Sequence, residues 1–153
     1  RKEALSLFID RVCNLAEFAK IKDVELLIEN NVLSKNNYEE FKANPLLMVE
    51  SDECLEIMNS TPRNVNLLLD VAHLKVSANT LKFDPIKSMN DTKDWIKGYH
   101  FSDNDGLSDT NQMISESSWF INNIDRNKSC VLEVYDISVS KIKEQLLILN
   151  RLG

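Results

Sequence analysis

A chain of 153 residues, 43% hydrophobic and 27% charged, holds enough apolar material for the core of one soluble domain and not for two. Its formal charge of -6 works against nucleic acid as a partner, and Cys13, Cys54 and Cys130 are too scattered for a disulfide framework or a zinc knuckle, as suits a reducing compartment. No apolar run approaches the roughly 20 residues that span a bilayer and no signal-peptide pattern opens the chain, so the expectation is a cytoplasmic protein with no membrane partner.

Ala4, Leu5, Phe8, Ile9, Val12, Leu15, Ala16 and Ala19 recur at three- and four-residue steps and predict an amphipathic helix over about 3–20. The short aliphatic run Val24-Glu25-Leu26-Leu27-Ile28 stops at Glu29-Asn30-Asn31 and reads as a buried strand. Helical material is expected between about 36 and 60, then a break at Thr61-Pro62. A second strand, Val65-Asn66-Leu67-Leu68-Leu69, stops at Asp70. Pro85 suits the first turn of a helix reaching about Trp95, and Ile96 to Phe101 reads as a third strand. Ser102 to Ser118 is polar enough to be mostly loop, and a short segment around Trp119 to Ile124 follows. A fourth strand is expected over Cys130 to Val134, and Ser138 caps a closing helix to about Leu152.

Short, almost wholly apolar strands alternating with helices predict parallel βαβ units. The fold class is therefore α/β, with four parallel strands in one domain over 1–153. Four strands cannot close the usual eight-stranded barrel, so the sheet has two raw edges unless something else covers them.

In parallel α/β folds the C-terminal strand ends share one rim, and in (β/α)8 barrels that rim carries the active site. Here the strand ends are Glu29, Asp70, His100 and Glu133. A lone acid at such a position is more often a solvated residue or a helix N-cap, and Asp70 could cap the segment after it. Four strands all ending in metal-capable side chains are harder to attribute to capping. Carboxylates with imidazole and no thiolate suit one divalent ion: Mn²⁺, Mg²⁺, Co²⁺ or Zn²⁺. His73 could join a second ion, bind substrate, or be a satisfied half-buried imidazole. Asp103 and Asp105 are candidate ligands or turn formers around Gly106, and Trp95 and Trp119 are expected to pack in the core.

The segments Val24–Asn30 (VELLIEN), Asn66–Leu74 (NLLLDVAHL), Tyr99–Asp109 (YHFSDNDGLSD) and Val131–Asp136 (VLEVYD) resemble, in order, strands five to eight of the xylose isomerase-like TIM-barrel superfamily, the sugar phosphate isomerase/epimerase family. The resemblance implies the C-terminal half of such a barrel, with Glu29, Asp70, His100 and Glu133 holding one ion on its axis. It implies that Glu29 and Glu133 act as the catalytic acid/base pair, and that His73 and Asp109 contact substrate. The implied activity is isomerisation or epimerisation of a sugar or sugar phosphate, by proton transfer through an enediolate. The family's usual histidine two residues after Asp109 is Asn111 here, and its glycine-rich stretch is replaced by Met113-Ile114-Ser115-Glu116-Ser117. The alternatives are an endonuclease IV-type metal-dependent AP endonuclease, which Asn111 and the acidic balance oppose, and a non-catalytic truncated barrel acting as a binding or scaffold domain. Arg1 opening directly on a helical pattern suits a fragment. The expected partner is the missing N-terminal half-barrel or a second copy in a homo-oligomer.

Overall fold

In a computed structural model describing residues 1–151, the opening amphipathic stretch forms α1 (Lys2–Ile21), which buries Val12 and Ala16. Then come β1 (Leu26–Glu29), α2 (Lys35–Phe41), α3 (Ser51–Asn59), β2 (Val65–Asp70), α4 (Val71–Leu81), α5 (Pro85–Thr92), β3 (Ile96–Phe101), β4 (Ser129–Leu132) and α6 (Val139–Arg151). The expected end of the last helix at Leu152 lies outside the described residues, and the Ser138 hydroxyl accepts from the Lys141 N–H at its start.

One expectation is resolved more finely and two need correction. The helical material expected over 36–60 is two helices, because Lys42 (φ 53°) ends α2 in the left-handed region and Pro45 lies in the connection, which an interior helical turn does not accommodate. That connection is held by Glu53, which accepts the Met48 N–H (2.9 Å) and pairs with the Arg1 guanidinium through both oxygens (2.8 Å each). The helix at Pro85 ends at Thr92, short of Trp95. Finally, β4 ends at Leu132, so Glu133 and Val134 lie just past it.

The sheet is wholly parallel, in the order β1-β2-β3-β4. Every connection advances one strand in the same direction, and right-handed crossovers of that kind put all the covering elements on one face. A single core results: Val65, Leu67, Leu69, Ile96, Tyr99 and Phe101 from the strands meet Val12, Ala16, Ile57, Met58, Leu74 and Met89 from the helices. Tyr99, Phe101 and Phe120 stack at 5.2 Å spacings, and Trp119 meets Phe120 edge-on at 5.8 Å. Trp95 and Trp119 both pack against this core.

One irregularity in β3 keeps both faces in phase. The pairing of β2 with β3 passes from Leu67↔Ile96 to Leu68↔Gly98, so Lys97 is an extra, exposed residue. Ile96 can therefore face the helices together with Tyr99 and Phe101, while Gly98 and His100 turn to the opposite face. Leu27, Leu68 and Val131 also lie on that opposite face, with Val131 54% exposed. Among the described residues no strand pairs with the outer edge of β1 or of β4.

Gly98 lies in the row Glu29–Leu68–Gly98–Ser129, one step below His100. A Cβ there would meet Leu68 Cδ1 at 3.1 Å and Leu27 Cδ1 at 3.3 Å. Both contacts are the ends of leucine side chains, so Gly98→Ala should be accommodated with small loss. Gly98→Val should destabilise by about 1–3 kcal/mol through overpacking beneath the rim, as chemical denaturation would measure.

Candidate metal centre

The parallel ladder places the four candidate ligands in three successive rows. Asp70, His100 and Val131 are level with one another, Glu29 lies one row below with Leu68, and Glu133 follows Val131 by two residues. The Glu133 N–H continues the ladder by donating to the Phe101 carbonyl (3.0 Å), so its position is fixed although it lies outside the strand. Glu29, Asp70, His100 and Glu133 each present one atom to a common point, with these atoms all within 4.8 Å of one another. His100 Nδ1 lies 3.1 Å from Glu29 Oε1, 2.9 Å from Glu133 Oε2 and 3.8 Å from Asp70 Oδ2.

A ring nitrogen has one proton at most, and the hydrogen bond goes to Glu29. Glu133 Oε2, although nearer, has no hydrogen bond, and neither has Asp70 Oδ2; both atoms are buried. Two carboxylate oxygens withdrawn from water without a donor carry a large desolvation cost unless a cation meets them. The spacings fit one: ligand bonds of about 2.1 Å in octahedral geometry put neighbouring ligands about 3 Å apart and opposite ones about 4.2 Å apart. Oxygen and imidazole donors without thiolate suit a divalent ion and do not select among Mn²⁺, Mg²⁺, Co²⁺ and Zn²⁺.

Asp70 serves two purposes with its two oxygens. Oδ1 accepts the His73 N–H (2.7 Å) and caps α4, while Oδ2 points into the cluster. Capping and ligation are alternatives when read from the residue alone, and here one carboxylate is placed for both. Burial pushes the Asp70 carboxyl up to about 6; Glu29 and Asp109 add to the rise, and His73 opposes it.

His73 lies beside the cluster, on the first turn of α4. Its Nδ1 donates to the Asn30 carbonyl (2.9 Å), and Nε2 faces Asp109 Oδ2 at 3.2 Å. Burial draws the imidazolium down, but Asp70, the Asn30 carbonyl, Asp109 and Glu29 outweigh it, and the net shift is upward. Asp109 is brought there by the loop after β3, whose frame is Asp103. That residue exchanges backbone hydrogen bonds with Gln112 (2.9 and 2.7 Å), and its carboxylate accepts from Lys75 Nζ (2.6 Å), Ser118 Oγ (2.7 Å) and the Asn104 N–H (2.8 Å). Asp105 caps the following turn through the N–H groups of Leu107 and Ser108. Both acids are thus turn formers rather than ligands. Asn111 has the same kind of role, since its side chain accepts from Ser102 Oγ (3.2 Å) and its carbonyl from the Tyr135 N–H (3.1 Å), tying the β3 and β4 loops together.

Asn30 and Lys75 belong to this neighbourhood, and sequence reasoning misses both. Asn30 is a polar residue directly after a strand-end acid, but its partners are forty residues away. Nothing local marks it.

No family model matches this sequence, and no curated protein does. Three solved structures match its fold. One is provisionally named a xylose isomerase, from Rhodospirillum rubrum (TM-score 0.70, 16% identity, 99% of this chain and 54% of that one). The others are a Thermus thermophilus protein soaked with zinc chloride (TM-score 0.59, 16% identity, 96% and 56%) and a provisionally named 3-DHS dehydratase of petrobactin synthesis from Bacillus anthracis (TM-score 0.59, 16% identity, 95% and 56%). The fold is the half-barrel part of the fold that these structures share, a four-stranded parallel α/β sheet. This chain spans about half the length of the structures it matches, and all four candidate ligands come from its own strands or, for Glu133, from the residue just past one. No helix of its described residues is long and apolar enough to cross a membrane.

Two outcomes follow from the electrostatics. The Asp70 carboxyl is raised from an ordinary 3.8 to about 6, so without metal it adds no penalty below about pH 4 and its full penalty above about pH 6. Asp70→Asn keeps the cap and should stabilise the metal-free chain at pH 7 by about 1–3 kcal/mol in denaturant titrations. The same variant should weaken Mn²⁺ binding by more than the roughly 10–100-fold that loss of an outer partner costs. Asp103 has the opposite sign. Burial raises its carboxyl, but hydrogen bonds from Lys75, Ser118 and Asn104 prevail, and the net shift is downward. Its contribution is complete above the unfolded value near 3.8 and is lost as pH falls through the lower folded value, so Asp103→Asn should remove that part of the acid limb in a pH–stability profile.

Proposed function

We propose that this chain supplies the metal-binding half of a divalent-metal-dependent isomerase or epimerase acting on a sugar or sugar phosphate. The observation that supports it most is the convergence of three carboxylates and one imidazole, two of whose oxygens are buried without a hydrogen-bond donor. Glu29, Asp70, His100 and Glu133 would hold the ion, which supplies Lewis-acid stabilisation for negative charge developing on adjacent substrate oxygens.

Glu29 and Glu133 are the proposed acid/base pair. They come from β1 and from the residue after β4, the two outermost strands, and so approach the site from opposite sides. Their side chains are 36% and 34% exposed, whereas Asp70 is fully buried. A substrate can reach the two glutamates and cannot reach Asp70, which divides the acids into a pair able to move protons and one that only anchors. One glutamate takes the proton from the carbon between carbonyl and hydroxyl, leaving an enediolate, and a carboxylic acid returns a proton. Return to the same carbon from the other face is epimerisation, and return to its neighbour is isomerisation. His73, whose imidazolium is favoured by Asp70, Asp109 and Glu29 around it, and Asp109 are the proposed contacts to substrate hydroxyls.

The test is exchange of solvent deuterium into a panel of ketoses and ketose phosphates, followed by NMR with Mn²⁺ and the protein that carries this chain. Exchange at the carbon next to the carbonyl is expected, and either Glu29→Gln or Glu133→Gln should slow it by at least about 100-fold. No exchange from a protein shown to hold the metal would remove the proton-transfer reading.

A further inference from the structure

We propose that Asn30 is the positioning residue of the metal centre, a side-chain amide that takes the place of a peptide group and aims Asp70 at the ion. The inference rests on the metal reading above and adds a residue to it. The ladder between β1 and β2 ends at Glu29↔Leu68, two residues short of Asp70, so regular pairing does not fix the backbone of Asp70 on that side. Asn30 does so instead. Its Oδ1 accepts the Asp70 N–H at 2.8 Å and its Nδ2 donates to the Asp70 carbonyl at 3.1 Å, the acceptor and donor that two further residues of a longer β1 would have offered.

The same residue fixes His73. The Asn30 main-chain carbonyl accepts from His73 Nδ1 (2.9 Å), which turns Nε2 toward Asp109 and leaves it 3.9 Å from Asp70 Oδ2. Asn30 is only 3% exposed, and all three of its polar interactions go to Asp70 or His73. A side-chain amide buried at a strand end and spent wholly on one ligand is costly to place for stability alone, since an apolar side chain would fill the space without two matched hydrogen bonds. Its consequence is directional. With the Asp70 backbone clamped on one side and Oδ1 committed to the α4 cap, Oδ2 is left with one orientation, toward the cluster.

Calorimetric titration of Mn²⁺, with the EPR spectrum of the bound ion, tests this in the full chain. The variants are Asn30→Ala, Asn30→Asp and Asp70→Asn, with Asn64→Ala as the control. Asn64 also makes a side-chain-to-backbone bond, to the Ala16 carbonyl (2.8 Å), but before β2 and away from the rim. Asn30→Ala should weaken Mn²⁺ binding roughly 10–100-fold and broaden the EPR signal, as loss of an outer partner does. Asn30→Asp keeps the acceptor for the Asp70 N–H and should recover part of the affinity. Asn64→Ala should leave affinity and spectrum as in the wild type, whatever its effect on unfolding. Wild-type affinity in Asn30→Ala together with loss of binding in Asp70→Asn would overturn this inference and leave the metal reading standing. Equal weakening by Asn30→Ala and Asn64→Ala would reduce Asn30 to general stability and overturn it as well. No Mn²⁺ binding by the folded wild-type chain would overturn both.

Discussion

Because each connection in this sheet moves one strand further in the same direction, every helix lies on one face and every strand points its C-terminal end to the same rim. The arrangement of the candidate site follows from that winding. A sheet that reversed direction part-way would divide its helices between two faces and would place ligands at a crevice rather than around an axis. Here Glu29, which ends one outermost strand, and Glu133, just past the end of the other, are 104 residues apart in the chain and still reach the same imidazole nitrogen. The winding also leaves one face bare. Leu27, Leu68 and Val131 lie there beneath the rim, and Gly98 makes room for the two leucine ends.

The rim carries a stability cost in the absence of a ligand. Asp70 is fully buried, its carboxyl is driven up to about 6, and one of its oxygens has no donor. Glu29 and Asp109, of the same sign, add to that rise. His73 offsets part of this from the side. His100 cannot offset it all, since a single Nδ1 meets three carboxylates within 3.8 Å and can donate to only one. A divalent ion at the common point would satisfy all four at once, and no rearrangement of the existing hydrogen bonds would.

Strands and strand-end acids are legible in the sequence because both obey local rules: a buried parallel strand is a short aliphatic run, and it stops where a polar side chain must face the rim. What is not legible depends on partners distant in the chain. The bulge at Lys97 is invisible in Ile96–Phe101, which reads as an ordinary strand; only pairing with Leu67 and Leu68 shows that one residue is extra. The helix α4 goes unannounced because its run Val71-Ala72-His73-Leu74-Lys75-Val76-Ser77-Ala78 is nearly apolar all round, and a helix buried on most sides loses the amphipathic period that announces α1. The helical material expected over 36–60 divides into two helices for a local reason that the sequence does contain, Pro45 after Asn44. Asn30 and Asp103 cannot be ranked from sequence, since an asparagine or aspartate in a loop is ordinarily a turn former, and Asp103 is one.

Metal binding and catalysis make different demands on the bare face. The four ligands are carried by elements of one sheet, and the supports that aim them, Asn30 for Asp70 and the Phe101 carbonyl for Glu133, come from the same sheet. The proposed ion would therefore draw all of its protein ligands from this chain. The proposed proton transfer would ask for more, because an acid and base work best where water is excluded, and Glu29 and Glu133 are each about one-third exposed above an open floor. Covering that floor would strengthen the same charges without moving them. On the proposed reading, whatever pairs with the free edges of β1 and β4 would thus act on the rate of proton transfer far more than on the affinity for metal.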